Sequence, residues 1–94
     1  MLNQTVLVGR LLEINKAINE ILIKVPRRFK NDEGVYEDDI IPIKLSPSIM
    51  TNVNDYCKVN DLVGIKGRLE SEDMRLHVFG EKITFLSSSK EGGD

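Results

Sequence analysis

Apolar side chains that alternate with polar ones dominate this chain and predict a protein built mainly of β-strands. Residues two apart lie on the same face of a strand, so Ile21, Ile23 and Val25 are expected to point into one core while Lys24 faces outward. The same kind of pattern recurs along the chain. The predicted strands cover 3–14, 19–28, 35–45, 62–70 and 74–86.

One segment departs from this pattern and predicts the only helix. Ser46 is a good N-cap, and Pro47 is tolerated at the first helical position because its missing N–H would be unpaired there. Apolar residues follow at helical spacing: Ile49, Val53, Tyr56 and Cys57. The order β-β-β-α-β-β is that of the OB-fold, a partly open Greek-key barrel. We therefore predict an all-β, five-stranded OB-fold Greek-key barrel with one helix between strands 3 and 4, over residues 1–86, followed by a short polar C-terminal tail at 87–94.

Glycines interrupt the first and last predicted strands. A glycine inside a strand often marks a bend or a bulge, and barrels need such bends to close. We therefore predict a bend at Gly9 and a bulge at Gly80.

Composition excludes several other classes of protein. The 94 residues have room for one domain, and the formal net charge of −2 counts mildly against a nucleic-acid binder. A single cysteine, Cys57, excludes an intrachain disulfide and a zinc ribbon. Cys57 is predicted to lie in the core, and no catalytic motif accompanies His77, so we expect neither an enzyme nor a cofactor. With no membrane-spanning apolar run and no signal peptide, we expect a cytoplasmic protein that does not contact a membrane.

Two blocks of sequence carry a family resemblance. The chain opens Met-Leu-Asn-Gln-Thr-Val-Leu-Val-Gly-Arg-Leu, and 52–69 reads Asn-Val-Asn-Asp-Tyr-Cys-Lys-Val-Asn-Asp-Leu-Val-Gly-Ile-Lys-Gly-Arg-Leu. Both blocks, and the ending Ile-Thr-Phe-Leu at 83–86, resemble bacterial single-stranded DNA-binding proteins. The resemblance covers residues 1 to about 86. It implies binding of single-stranded DNA in replication, recombination or repair.

Three features depart from the family's pattern. The loop after strand 1 shrinks to 13–17, and the hairpin between the last two strands shrinks to 71–73. The family's Gly/Pro/Gln-rich tail with its acidic tip is replaced by Lys-Glu-Gly-Gly-Asp at 90–94. If the natural chain ends at residue 94, the last departure predicts that recruitment of replication enzymes through such a tip is absent.

A basic segment with one aromatic residue is the first candidate DNA contact. Lys24, Arg27, Arg28 and Lys30 accompany Phe29 without an acidic residue among them. A positive groove follows the phosphates of a single strand, and a ring stacks a base. The resemblance places Phe29 where the family has a base-stacking ring. The alternative left open is a solvated strand end with Phe29 packed against the hairpin.

Further basic residues lie on outward faces of the predicted strands. We expect Lys44, Lys66 and Arg68 to line one groove together with Lys24, and Arg10 to face the same groove. Ordinary solvated strand faces are the alternative for all of them.

Other aromatic positions of the family are filled differently here. Ile40 and Ser46 stand where the resemblance expects rings, and Ile40 is kept as a candidate contact with less stacking area. Fewer rings predict weaker binding that depends more on electrostatics and therefore more steeply on salt.

An acidic cluster follows the basic segment, at Asp32, Glu33, Glu37, Asp38 and Asp39. Carboxylates suit hard cations, but the spacing is not that of a calcium loop. We predict instead a solvated hairpin tip or a partner for the basic segment.

The resemblance also implies an oligomer. The family pairs first strands across a two-fold axis, so Asn3, Thr5 and Leu7 are predicted interface residues of a homodimer or tetramer. Two other functions stay open. One is a dimeric adaptor resembling primosomal replication protein N, which would act by contacting another replication protein. The other is an interaction module whose groove binds a peptide.

Overall fold

The computed structural model describes residues 1–87 and confirms the predicted order of elements. A short 3-10 helix at Lys16–Ile18 joins the first two strands. The remaining elements are β1 (Thr5–Asn15), β2 (Glu20–Lys30), β3 (Tyr36–Leu45), α1 (Pro47–Tyr56), β4 (Leu62–Glu72) and β5 (Arg75–Ser87).

The five strands close into a barrel in the order β1-β2-β3-β5-β4, which confirms the predicted OB-fold. β1 pairs with two strands: its residues 5–10 pair with β4, and its residues 10–15 pair with β2. All contacts between strands are antiparallel except the closing one. There β3 and β5 run parallel over three pairs only: Ile43 with Val78, Lys44 with Phe79, and Leu45 with Gly80.

The core follows the alternation in the sequence. Ile21 and Ile23 of β2 are fully buried, whereas Leu22 and Lys24, which alternate with them, face outward and are half-buried. Full burial of one such aliphatic side chain contributes about 1.5–3 kcal/mol to folding. The complete core consists of Leu11, Ile21, Ile23, Ile43, Leu45, Met50, Val53, Val63 and Ile65.

The helix begins as predicted, and all but one of the apolar residues predicted at helical spacing contact the core. The backbone N–H of Ile49 donates to the Ser46 side chain at 3.3 Å, which confirms the N-cap. Val53 and Met50 lie in the core, and Ile49 and Cys57 pack against it. Tyr56 departs from the predicted apolar set, because its side chain is 76% exposed. Tyr56 ends the helix, where its ring lies beside Phe85 at the rim of the barrel.

The irregularities of the strands lie close to the predicted glycines. In β1 the register shifts between Leu11 and Glu13, so the bulge lies beyond Gly9. Gly9 has another role: a Cβ there would lie 2.4 Å from the Lys24 carbonyl oxygen, so only glycine permits this approach to β2. In β5 the shift skips Glu81, the residue after the predicted position Gly80.

Both short connections are tighter than the sequence predicts. β1 continues through Asn15, within the predicted loop 13–17. β4 and β5 continue to Glu72 and Arg75, so a two-residue turn, Asp73-Met74, replaces the predicted loop 71–73. Both turn residues have positive φ, 52° and 65°, as the tightest hairpin turns require.

The end of the described chain belongs to the sheet. Ser87, the first residue of the predicted tail, is the last residue of β5, and 88–94 lie outside the described residues. Leu69 follows the same alternation along β4 as the buried Ile65, but it is 38% exposed because it lies beyond the closed part of the barrel. Among residues 1–87, no helix combines the length and apolarity needed to cross a lipid bilayer.

Candidate nucleic-acid interface

The β2–β3 arm, which we define as residues 26–39, presents the ring that the sequence singles out. The ladder is regular up to Pro26 and Asp38, then shifts before Lys30 pairs with Tyr36. Residues 27–29 are therefore released from regular pairing, and Phe29 is 81% exposed rather than packed against the hairpin. Its ring lines an open groove of about 480 Å³ together with Arg28.

Acidic residues of the same arm hold Arg27. Its guanidinium meets Glu37 at 2.9 Å and Asp39 at 2.9 Å. The Asn31 side chain also donates to Glu37, at 2.9 Å. The hydrogen bond from Arg27 lowers the pKa of Asp39, and the same pairing raises the pKa of Arg27. The predicted partnership between the acidic cluster and the basic segment is confirmed, and a phosphate would have to displace two carboxylates to reach Arg27.

The other two cations of the arm have different surroundings. Arg28 is exposed and forms no ion pair with any residue between 1 and 87. Lys30 places its Nζ 5.7 Å from the centroid of the Tyr36 ring, a cation–π contact across the hairpin. Arg28 is therefore the arm's freest positive charge beside Phe29.

A row of three predicted contacts crosses the outer face of β1, β2 and β3. Arg10 pairs in register with Lys24, and Lys24 pairs with Ile40. Ile40 is 51% exposed, and Arg10 donates to the Asn60 carbonyl at 3.2 Å. The structure thus brings these three residues together, next to the arm.

Lys44 and Arg68 form a second group around Phe79, a residue that the sequence reasoning did not select. Both are register partners of Phe79, one from β3 and the other from β4. Lys44 lies four residues beyond Ile40 on β3, or about 13 Å along the strand. The single groove expected for all the outward cations is therefore divided, with this group separate from the Lys24 row.

Lys66 belongs to neither group. Its register partners are Val6 of β1 and Lys82 of β5, on the side of the barrel away from β2. The expected groove with Lys24 does not form at this residue.

The predicted interface residues of β1 are largely engaged within the chain. The Asn3 amide bonds both backbone groups of Leu69, at 2.8 and 2.9 Å, and Leu7 packs against the core. Thr5 pairs with Gly67 of β4. The exposed side chains of this segment are Val6 and Val8, at 65% and 47%. Because β2 pairs only from Arg10 onward, the other backbone edge of β1 residues 5–9 has no ladder partner within residues 1–87.

The two residues set aside as structural have ordinary surroundings. Cys57 packs against the core, as predicted, and burial together with Asp61 raises the pKa of its thiol. His77 lies 3.7 Å from Glu72 on the outer face. Neither arrangement resembles a nucleophile with its base.

Comparison with known proteins identifies the family. The sequence model of the Single-strand binding protein family matches residues 2–87. The chain belongs to this family. A curated member, Single-stranded DNA-binding protein 1 of Clostridium acetobutylicum, is 31% identical over 96% of this chain and 98% of its own length.

Solved structures of single-stranded DNA-binding proteins share the fold. The mitochondrial protein of S. cerevisiae superposes with a TM-score of 0.76 at 17% identity, covering 95% of this chain and 99% of that one. The Plasmodium falciparum protein, solved in complex with single-stranded DNA, gives a TM-score of 0.68 at 14% identity, with 93% and 96% covered. The family's barrel therefore spans nearly all of this chain.

Proposed function

We propose that this member of the single-strand binding protein family binds single-stranded DNA, without base preference, along the outer face of β2 and β3. The exposed Phe29 ring beside the unpaired Arg28 carries the proposal. A ring stacks any base, because every base has a π-face, and an adjacent cation neutralises the neighbouring phosphate.

The Lys24 row continues this surface inward from the arm. Lys24 supplies a second positive charge, and Ile40 supplies apolar contact for a sugar or base. Arg27 contributes less than its neighbours, since Glu37 and Asp39 already hold it. With so few free cations on a chain of net charge −2, binding is modest and weakens as salt rises.

Pairing of two copies through β1 completes the proposal. The unpaired backbone edge of residues 5–9 is suited to continue the sheet into a second copy across a two-fold axis. This pairing would use backbone groups rather than the side chains of Asn3 and Leu7. We propose that such an oligomer acts in the cytoplasm, in DNA replication, recombination or repair, by binding and not by catalysis.

Titration of fluorescently labelled oligo-dT at several salt concentrations tests the proposal. We expect single strands to bind more tightly than the matching duplex, with affinity falling as salt rises. Phe29→Ala should weaken binding roughly tenfold, the value of about one lost stack. Tyr56→Ala, which removes a similarly exposed ring at the end of α1, is the control and should leave oligo-dT binding unchanged. Absence of binding at low salt would overturn the proposal.

A dimeric adaptor that contacts other replication proteins is the second candidate. The observation that favours it is an apolar groove between α1 and β5, of about 390 Å³, where Tyr56 and Phe85 are exposed. The adaptor predicts that Tyr56→Ala removes a protein partner from a pull-down while DNA binding is unchanged.

A further inference from the structure

Phe79 and Arg68 form a layered pair on the outer face of the barrel, away from the β2–β3 arm. The Cζ of Arg68 lies 4.6 Å from the centroid of the Phe79 ring, close enough for a cation–π contact. Phe79 is half-buried, and the Arg68 side chain keeps 37% of its exposure. The pair therefore has solvent access, although neither residue projects freely.

Two carboxylates occupy the edge of the guanidinium. Nε and Nη2 of Arg68 meet Glu70 at 2.9 and 2.7 Å, and Nη1 meets Glu81. The hydrogen bonds that Arg68 donates to Glu81 and Glu70 raise the pKa of Arg68. Glu81 is the bulged residue of β5, and a bulge re-aims side chains, here to bring Glu81 to Arg68.

This arrangement limits the contacts that the Arg68 guanidinium can make with a ligand. Arginine binds phosphate through in-plane N–H groups, and here all three nitrogens already contact carboxylates. The flat face of a guanidinium needs no free N–H to act, since it stacks on a base in the same way as a ring. The guanidinium carbon of Arg68 lies over the Phe79 ring, so the side of the guanidinium turned away from that ring is the part left for contact.

We propose that Arg68 and Phe79 form a base-stacking platform for single-stranded nucleic acid, with Arg68 acting through its flat face and not as a phosphate contact. The proposal rests on the proposed function and adds a second stacking position to it. Lys44, the register partner of Phe79 on β3, links the platform to the strand that carries Ile40. A single strand that follows β3 from the arm would meet Phe29, then Ile40, then the platform.

Two substitutions and two oligonucleotides test the platform. Arg68→Lys keeps the charge but removes the plane, and Phe79→Leu keeps much of the volume but removes the ring. Affinities are measured for oligo-dT and for an abasic oligonucleotide of equal length, which has the same phosphates and no bases. Arg75→Lys is the matched control, because Arg75 is exposed and lies in the same hairpin. Thermal melting checks that every variant is folded.

We expect each substitution to weaken oligo-dT binding roughly tenfold while abasic binding changes by less than about twofold. Arg75→Lys should leave both affinities unchanged. Equal losses on the two oligonucleotides, or no loss on oligo-dT, would overturn the platform while leaving the proposed function intact. A wild-type chain that fails to bind oligo-dT would overturn the proposed function and the platform with it.

Discussion

Arg27 and Arg28 are adjacent and chemically identical, yet their electrostatic surroundings differ. Arg27 makes a fork of contacts to Glu37 and Asp39, whereas Arg28 is exposed and has no ionic partner within residues 1–87. A phosphate that binds a free guanidinium gains the full electrostatic attraction. At a paired guanidinium it gains only the difference between its own attraction and that of the carboxylate it displaces. The partner of a basic residue, more than its presence, thus decides how much it contributes to DNA binding.

Alanine substitutions of the two arginines should therefore differ. Arg28→Ala is expected to weaken binding to oligo-dT and to lower the slope of log affinity against log salt by about one. Arg27→Ala should have a clearly smaller effect on the slope, because its charge is already balanced. Fluorescence anisotropy over a series of salt concentrations measures both. Equal slopes for the two variants would contradict this prediction.

The β2–β3 arm as a whole carries anions that compete with DNA. Its β3 strand supplies Glu37, opposite the released residues of β2, and Asp39, the register partner of Val25. Both carboxylates accept hydrogen bonds from Arg27, so the arm's own acidic residues pair with this cation. Among residues 1–87, no three or more His, Cys, Asp or Glu side chains are grouped so that they could hold a metal ion. The β2–β3 arm therefore carries basic and acidic side chains that pair with each other, and it is not a uniformly basic surface.

Neutralising the two acids should strengthen DNA binding. The double variant Glu37→Gln/Asp39→Asn frees Arg27 and is expected to gain on the order of 1 kcal/mol, roughly fivefold in Kd for oligo-dT. Asp32→Asn/Glu33→Gln is the control, because it changes the net charge equally at the exposed tip of the same arm. If the two double variants gain equally, overall charge and not release of Arg27 is responsible.

At the scale of the whole molecule, the start of β1 presents an open strand edge. Strand β1 is paired on both sides only near its middle, and its first residues continue the β4 ladder while their other edge is open. Val6 and Val8 are exposed along this segment, which makes it unlike the charged edges that discourage association. We therefore expect the isolated chain to self-associate here.

Charge placed on this edge should prevent association. In a two-fold pairing of β1 strands, Val6→Lys/Val8→Lys brings like charges close to their own copies, which is unfavourable. Sedimentation or light scattering should show a dimer or tetramer for the natural sequence and a monomer for this variant. Val35→Lys, at a similarly exposed apolar position on the arm, should keep the oligomer. A natural chain that is monomeric at high concentration would contradict the prediction.

Local patterns predict the strands and the helix well, because side-chain alternation and the Ser46-Pro47 cap act over a few residues. Ion pairs depend instead on register across strands. Nothing in the sequence distinguishes Arg27 from Arg28, since the register shift after Pro26 determines which of them meets Asp39. Phe79 is missed for a related reason: its neighbours Lys44 and Arg68 come from two other strands, and only the closure of the barrel joins them.

The parallel contact between β3 and β5 has a consequence for motion. It consists of three residue pairs, far fewer than the eleven that join β4 to β5, so this seam is where the barrel needs least free energy to open. The Phe79–Arg68 pair lies on the β5 side of this seam, and Lys44, the register partner of Phe79, lies on the β3 side. A nucleotide bound there would contact both β3 and β5 and would hold these two strands together. Binding at that position would then slow the transient opening of the barrel, including in parts of the barrel that the ligand does not contact.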